Sequence, residues 1–315
     1  MSAPGGPKGE HRNAQQARVG LIGVGSMGWP MAARLVQAGF AVTVFDAASG
    51  QAEKFAKEVG GQAAATCAEL AAQADIIFTM LPTSAIVEQV LGGEQGVLAG
   101  LRPGGVVVDM SSGVPAHTQR LAQAVAAAGG EMVDAPVSGG VPRARTGELA
   151  IMFGGPAETL ERVRPALSCM GTSITPVGAV GSAHAMKALN NLVSAGGFLI
   201  GVEAMLIGQQ FGLDPNVIVD VLNASTGMNN STQKKFKQFV LSRQFNSGFG
   251  LDLMVKDLGI ALGIATDTGT PTPFASLCRE LWASAGKTLG KGQDHTAVAR
   301  LSEQLAGVEL GAGKG

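Results

Sequence analysis

The chain has 315 residues, of which 46 are glycine and 46% are hydrophobic; no glycine triplet repeats, which removes collagen, and the apolar content removes a disordered chain. Lys and Arg total 23 against 24 Asp and Glu, a net charge of −1; with no basic stripe no nucleic-acid partner is expected, and Lys234, Lys235 and Lys237 read as a solvated helix face. Tyrosine is absent, so no phenolic hydroxyl can act as a catalytic acid.

Residues 1–17 are polar and lack the apolar stretch of a signal peptide, so a disordered tail is expected there. Strands are expected at Arg18–Val24, Ala41–Phe45, Ile76–Met80, Val106–Asp109, Met132–Ala135 and Ala150–Phe153. Helical patterns occupy 27–37 and alanine-rich stretches near 51–58, 67–73, 84–91 and 116–128. Strands alternating with helices imply a parallel sheet covered on both faces. From Ser182 the chain reads as helices alone, at 182–211, 215–223, 231–241, 252–268, 273–286 and 295–307, with Gly and Pro at the joints. The expected architecture is therefore a doubly wound α/β domain over 18–177 and an all-helical domain over 178–315, joined by the helix 182–211. Gly196-Gly197 interrupts that helix, and its use is expected to be close packing against a neighbour. Cys67, Cys169 and Cys278 lie far apart and the four histidines are scattered, so neither a disulfide framework nor a metal site is expected. The apolar stretch Ala188–Val202 is short for a membrane span. A cytoplasmic protein with no membrane partner follows as the expectation.

The strongest local signal is Gly23-Val24-Gly25-Ser26-Met27-Gly28, between an expected strand and an expected helix. Glycines at these three places allow a tight turn, approach of the backbone to a pyrophosphate, and close helix–strand packing. The helix start offers its unpaired N–H groups to the phosphates. Asp46 falls 21 residues after Gly25, where a carboxylate accepts from ribose hydroxyls and repels a 2′-phosphate. The motif thus reads as a Rossmann-type site for NAD rather than NADP. Met80-Leu81-Pro82 and Ser112 follow two further strands at the edge where ligands of such sheets bind; helix capping by Thr83 or Ser112 explains them as well.

Ser138-Gly139-Gly140 combines a hydroxyl with two glycines, a nest suited to a carboxylate or phosphate, though a structural turn accounts for it nearly as well. Lys187 and Asn191 are four apart and share a helix face among small and apolar residues. A lysine buried there has a partner or a depressed pKa; alternatively it snorkels to the surface. The pair suits hydride chemistry, because removal of hydride from a carbinol needs a base for the hydroxyl proton.

The sequence resembles the β-hydroxyacid dehydrogenase family, which includes 3-hydroxyisobutyrate dehydrogenase, tartronate semialdehyde reductase and L-threonate dehydrogenase and is related to 6-phosphogluconate dehydrogenase. The likeness runs from Arg18 to about Gln304 and rests on Gly23 to Ala32, Asp134 to Gly147, Gly178 to Asn191 and Lys256-Asp257-Leu258. It implies that Lys187 is catalytic, that Asn191 holds the substrate, and that Ser138, Gly139 and Gly140 bind its carboxylate. Lys256 is implied beside nicotinamide and substrate, where its charge would favour a neutral Lys187 amine. The implied reaction moves hydride between NAD and a small 3-hydroxy acid such as 3-hydroxyisobutyrate. L-threonate, tartronate semialdehyde and sulfolactaldehyde remain alternatives, as does a non-catalytic NAD-binding sensor or scaffold. The likeness further implies a homodimer or homotetramer built through the helical domain, which completes the active-site cleft. Phe236 and Asn229–Gln233 are expected to reach that cleft, whereas Arg143 and Arg145 are spaced like surface residues.

Overall fold

The computed structural model describes residues 17–311, so the tail expected at 1–17 lies, Ala17 apart, outside the described residues. The chain divides into two compact units that meet in sequence between His184 and Ala185.

The first unit alternates β1 (Arg18–Ile22), α1 (Gly28–Gln37), β2 (Ala41–Phe45), α2 (Gln51–Glu58), β3 (Gln62–Ala63), α3 (Cys67–Gln73), β4 (Ile76–Thr79), α4 (Ser84–Gly92), α5 (Val97–Gly100), β5 (Val106–Asp109), α6 (Pro115–Ala127) and β6 (Glu131–Asp134). It continues with β7 (Val137–Ser138), α7 (Gly140–Thr146), β8 (Leu149–Gly154), α8 (Ala157–Met170) and β9 (Gly171–Gly178). The strands lie in the order β3-β2-β1-β4-β5-β6-β8-β7, with β9 on β8. Strand side chains alternate between two cores, as a sheet covered on both faces requires. Val19, Leu21, Phe78 and Val108 enter one with Leu35 and Phe55, and Ile22, Ile77 and Val107 enter the other with Leu70 and Val87.

The expected sheet needs correction beyond β6. β1 to β6 are parallel, but β8 runs antiparallel to β6 and β7, and β9 then runs parallel to β8. The elements α7, α8 and β9 were not expected. Pro165 stands inside α8 and hides its helical period, while α7 and β9 carry the Gly and Pro content of loops.

The second unit is helical: most of α9 (Ser182–Phe211), then α10 (Pro215–Asn223), α11 (Asn230–Lys234), α12 (Leu251–Asp267), α13 (Pro273–Leu289) and α14 (Ala299–Ala306). The helix expected at 231–241 is two pieces, because α11 gives way at Lys235 to a π-helical segment, Phe236–Leu241. A 3-10 turn, His295–Val298, likewise precedes α14. Phe198, Phe236, Trp282 and His295 form the aromatic centre of this core. Phe236 is fully buried there, which corrects its expected place at the cleft.

The glycine pair of α9 serves its own chain. A Cβ at Gly196 would sit 3.1 Å from the Phe274 ring and one at Gly197 3.4 Å from the Asn229 side chain. By length and composition α9, with an 18-residue window of mean hydropathy 1.5, is long and apolar enough to cross a membrane, which corrects the expectation drawn from the shorter stretch Ala188–Val202. Over half of that window (56%) is buried inside the protein, which accounts for its hydropathy as that of a core helix.

Candidate active site

In the first unit the glycine turn is built by contacts that assign each glycine a separate task. Gly23 has φ 95°, and a Cβ there would lie 2.5 Å from the Met80 carbonyl oxygen. Gly28 opens α1 against the turn itself, since its Cβ would fall 1.8 Å from the Gly23 oxygen. Above Gly25 nothing lies within 4 Å, so the backbone there is open to a ligand. Asp46, at the end of β2, accepts the Val24 N–H at 2.8 Å and the Ala48 N–H at 2.8 Å, and Gln51 donates to the Val24 carbonyl. Asp46 therefore braces the turn as well as placing negative charge beside it.

The turn joins the next loops through short bonds. Met80 donates its N–H to Ile22, and the Leu81 N–H donates to Ser111 Oγ at 2.9 Å. Gly23, Val24, Asp46, Met80 and Leu81 thus meet at the carboxyl ends of adjacent strands, with Pro82 and Ser112 next to them in sequence. Thr83 caps α4, as its alternative reading had it. A cleft of about 630 Å³ opens over Gly25 and Ser26 and is lined also by Trp29, Arg34, Gln51 and Arg145. An open glycine backbone, a ten-residue helix starting beside it and an acidic side chain at the strand end fit a dinucleotide. Arg18, which is bonded through Nε and Nη2 to Asp75, is no phosphate clamp.

Ser138 pairs with Ala150 across β7 and β8, and Gly139 and Gly140 follow with φ 133° and 67°. Both angles lie in the region that favours glycine, so these two positions need glycine for their backbone alone. Arg143 and Arg145 are exposed on α7, as expected.

The same strand ends hold a buried network that sequence reasoning missed. Asp134 accepts the N–H groups of Gly181 (2.7 Å) and His184 (2.8 Å), tying β6 to the start of α9. Asp109 accepts from Thr79 Oγ1 and the Ser111 N–H, and thereby fixes the residue that holds Leu81. The His184 ring shares a 2.7 Å hydrogen bond with Thr118 and stands 3.8 Å from Asp109. Burial pushes the Asp134 carboxyl above the usual carboxylate range, against the opposing influence of His184 and two backbone N–H groups. Only the placement of two Asp residues at strand ends hinted at this in the sequence.

In the second unit, Lys187 and Asn191 are both buried, which corrects the snorkelling alternative. Asn191 Nδ2 donates to Asp257 Oδ2 at 2.6 Å, and Asn190 donates to Asn191 Oδ1, so the amide is held from both ends. Lys256 Nζ stands 3.2 Å from Asp257 Oδ1 as an ion pair without hydrogen-bond geometry. Burial holds the Lys187 pKa below that of an ordinary lysine; Asp257 opposes this and Lys256 adds to it. Such an amine accepts a proton more readily at moderate pH than an exposed lysine, because less of it is already protonated.

The expected solvated face at Lys234–Lys237 also changes. Lys234 is exposed and Lys237 pairs with Asp220, but Lys235 is half-buried and its pKa is lowered to about 8, by burial first. Among the described residues no group of three or more His, Cys, Asp or Glu could hold a metal ion. Burial raises the pKa of the Cys67 and Cys278 thiols to about 11, which leaves neither suited to nucleophilic work.

Two family models match the chain. One, the NAD binding domain of 6-phosphogluconate dehydrogenase, covers residues 18–178, and the other, the NAD-binding domain of NADP-dependent 3-hydroxyisobutyrate dehydrogenase, covers 181–302. The 2-(hydroxymethyl)glutarate dehydrogenase of Eubacterium barkeri is 37% identical over 94% of this chain and 98% of its own. The mitochondrial 3-hydroxyisobutyrate dehydrogenase of Mus musculus is 37% identical over 85% of this chain and 82% of its own. Among solved structures, 3-hydroxyisobutyrate dehydrogenase from Mycobacterium tuberculosis with L-serine superposes with a TM-score of 0.84 at 32% identity, covering 90% of this chain and 98% of that one.

Proposed function

The chain belongs to the β-hydroxyacid dehydrogenase family, and on that premise we propose that it interconverts a small 3-hydroxy acid of the 3-hydroxyisobutyrate type and its semialdehyde. It is an oxidoreductase that uses NAD and acts on small hydroxyacid-type substrates. The observation that carries the finer reading is the buried Lys187 beside an Asn191 amide locked onto Asp257.

The roles follow from chemistry. Gly23 to Gly28 and Asp46 hold the dinucleotide, with Met80, Leu81, Pro82, Ser112 and Lys256 toward its nicotinamide end. When bound, NAD supplies a hydride acceptor at nicotinamide C4. Ser138 and the amides of Gly139 and Gly140 receive the substrate carboxylate. Asn191, whose second amide hydrogen remains after the bond to Asp257, donates to the reacting oxygen. Lys187 as the neutral amine takes the hydroxyl proton during oxidation, and as the ammonium returns it during reduction. Asp46, already holding two backbone N–H groups, disfavours the extra phosphate of NADP.

We also propose a cytoplasmic homodimer or homotetramer assembled through the helical unit. Its support is a stripe on α9, where Val193, Ile200, Ile207 and Phe211 are 77%, 57%, 72% and 83% exposed at spacings of seven, seven and four.

The test is a panel of 3-hydroxy acids with NAD and NADP, followed by nicotinamide absorbance, with Lys187→Ala alongside. Turnover with NAD that falls about 10³-fold in kcat in the variant is expected from loss of a general base. No turnover of any acid, or an unchanged variant, would remove the reading.

A further inference from the structure

The glycine turn is short of positive charge for the ligand it takes. Two of its N–H groups are already spent, that of Gly23 on the Phe45 carbonyl and that of Val24 on Asp46 Oδ2, each at 2.8 Å. Asp46 thereby sets a carboxylate beside the place where a diphosphate, itself a dianion, docks. Against these charges the start of α1 offers backbone N–H groups and about half a unit of positive charge. None of residues 23–33 is Lys or Arg, nor do the loops Met80–Pro82 and Met110–Gly113 carry one. A cation has to come from elsewhere in the first unit.

The cleft of about 630 Å³ over Gly25 and Ser26 supplies it. Trp29, Ala33 and Gln37, spaced by four, lay one face of α1 along this cleft. Among the described residues no Asp or Glu lines it, whereas two arginines do, Arg34 from α1 and Arg145 from α7. Arg34 is committed, since its Nε donates to the Cys169 carbonyl and its Nη1 to Gln37. Arg145 makes no ion pair or hydrogen bond among the described residues. Other exposed cations share that property, and what sets Arg145 apart is the cleft it lines together with the turn. The short helix α7 keeps it there. Ala144, beside Arg145, is fully buried, and Gly147, which ends the helix at φ 74°, donates its N–H to the Arg143 carbonyl. A Cβ at Gly147 would lie 2.8 Å from Arg34 Nε, so the last turn of α7 abuts the guanidinium of α1.

We propose that Arg145 is a cofactor-binding residue whose guanidinium pairs with the diphosphate of NAD from the α7 side of the cleft. This inference rests on the placement of the dinucleotide at the glycine turn given above, and it adds to that site a side chain from a separate helix. A guanidinium fork matches two phosphate oxygens at once, and here it offsets the charge that Asp46 brings to the turn. Because Arg145 is exposed, solvent screens the pair and its contribution is moderate. The recognition is of the phosphates alone, so the adenosine half of the cofactor gains nothing from it.

Two probes isolate the claim, because ADP-ribose and adenosine share the adenosine and differ in whether a diphosphate follows it. Their Kd values are measured by competition with NADH for the full-length wild type, Arg145→Ala, Arg145→Lys and Arg120→Ala, the last removing an equal charge from the exposed side of α6. Arg145→Ala is expected to weaken ADP-ribose and NADH about tenfold, the lower range of a charge-assisted hydrogen bond, with adenosine within about twofold of wild type. Arg145→Lys should recover part of the loss, as a point charge without the fork. In turnover the KM for NAD should rise by a similar factor in Arg145→Ala. An ADP-ribose Kd that does not change, an equal loss for adenosine, or the same loss in Arg120→Ala would overturn the inference. The hydroxyacid reading would survive each of these, since turnover of the acids decides it. A wild type that binds neither ADP-ribose nor NADH would overturn both.

Discussion

The glycine turn of the first unit and the lysine face of the second solve opposite problems. Around Gly25 the chain makes room: no atom approaches its Cβ position, and Asp46 and Gln51 hold the neighbouring peptide still. Around Lys187 the chain removes room, burying an amine with a carboxylate and a second cation at its side. A pyrophosphate is recognised by backbone groups that must stay reachable, whereas a general base is tuned by losing water. The turn therefore depends on what is missing from side chains, and the lysine face on what surrounds one.

The sharpest way to break this contrast is within the turn. Gly28→Val should prevent the first unit from folding, because its side chain would begin 1.8 Å from the Gly23 oxygen, and soluble expression and melting would report it. Gly25→Val, with open space above it, should leave melting unchanged and weaken NAD binding, by about tenfold or more for the loss of close backbone contacts. Equal melting of both variants would show that the two glycines do not have separate tasks.

A smaller effect is expected on the other side. Asp257→Ala leaves the Asn191 amide without its acceptor, and kcat should fall about 10- to 100-fold through misplacement of the substrate oxygen. Asp257→Asn keeps an acceptor for that amide and should recover much of the loss in kcat. A full loss in Asp257→Asn as well would mean that charge, rather than orientation, is what Asp257 contributes.

Legibility in the sequence followed the range of the interactions. The turn is a local motif, and Asp46 is reached by a fixed spacing along one strand–helix–strand unit, so both could be read directly. Lys187 and Asn191 could be read as one face because four residues make about one helical turn. Their burial could not, since it depends on which distant parts of the chain pack over that face. Asp257 stands in the Lys256-Asp257-Leu258 motif, but its bond to Asn191 crosses 66 positions. The network of Asp109, Asp134, Thr118 and His184 joins strand ends and helices that only the folded sheet brings together. Lys235 was hidden in the opposite way, by neighbours of its own kind: three lysines in four residues read as a wet surface. The helix breaks at it, however, and turns one of the three inward.

The account turns most directly on Lys187 being a buried amine whose pKa burial lowers, with Asp257 and Lys256 acting on it in opposite directions. Oxidation requires its neutral form, so kcat/KM should fall as pH drops through its pKa, at a limb below the ordinary lysine value of 10.5. Lys256 holds that pKa down and Asp257 holds it up, so removing each charge should move the limb in opposite directions. The deciding measurement is the pH profile of NAD-dependent oxidation by the wild type, Lys256→Ala and Asp257→Asn. The limb is expected to shift to higher pH in the first variant and to lower pH in the second. A limb that stays fixed in both, or moves the same way in both, would contradict Lys187 as the base.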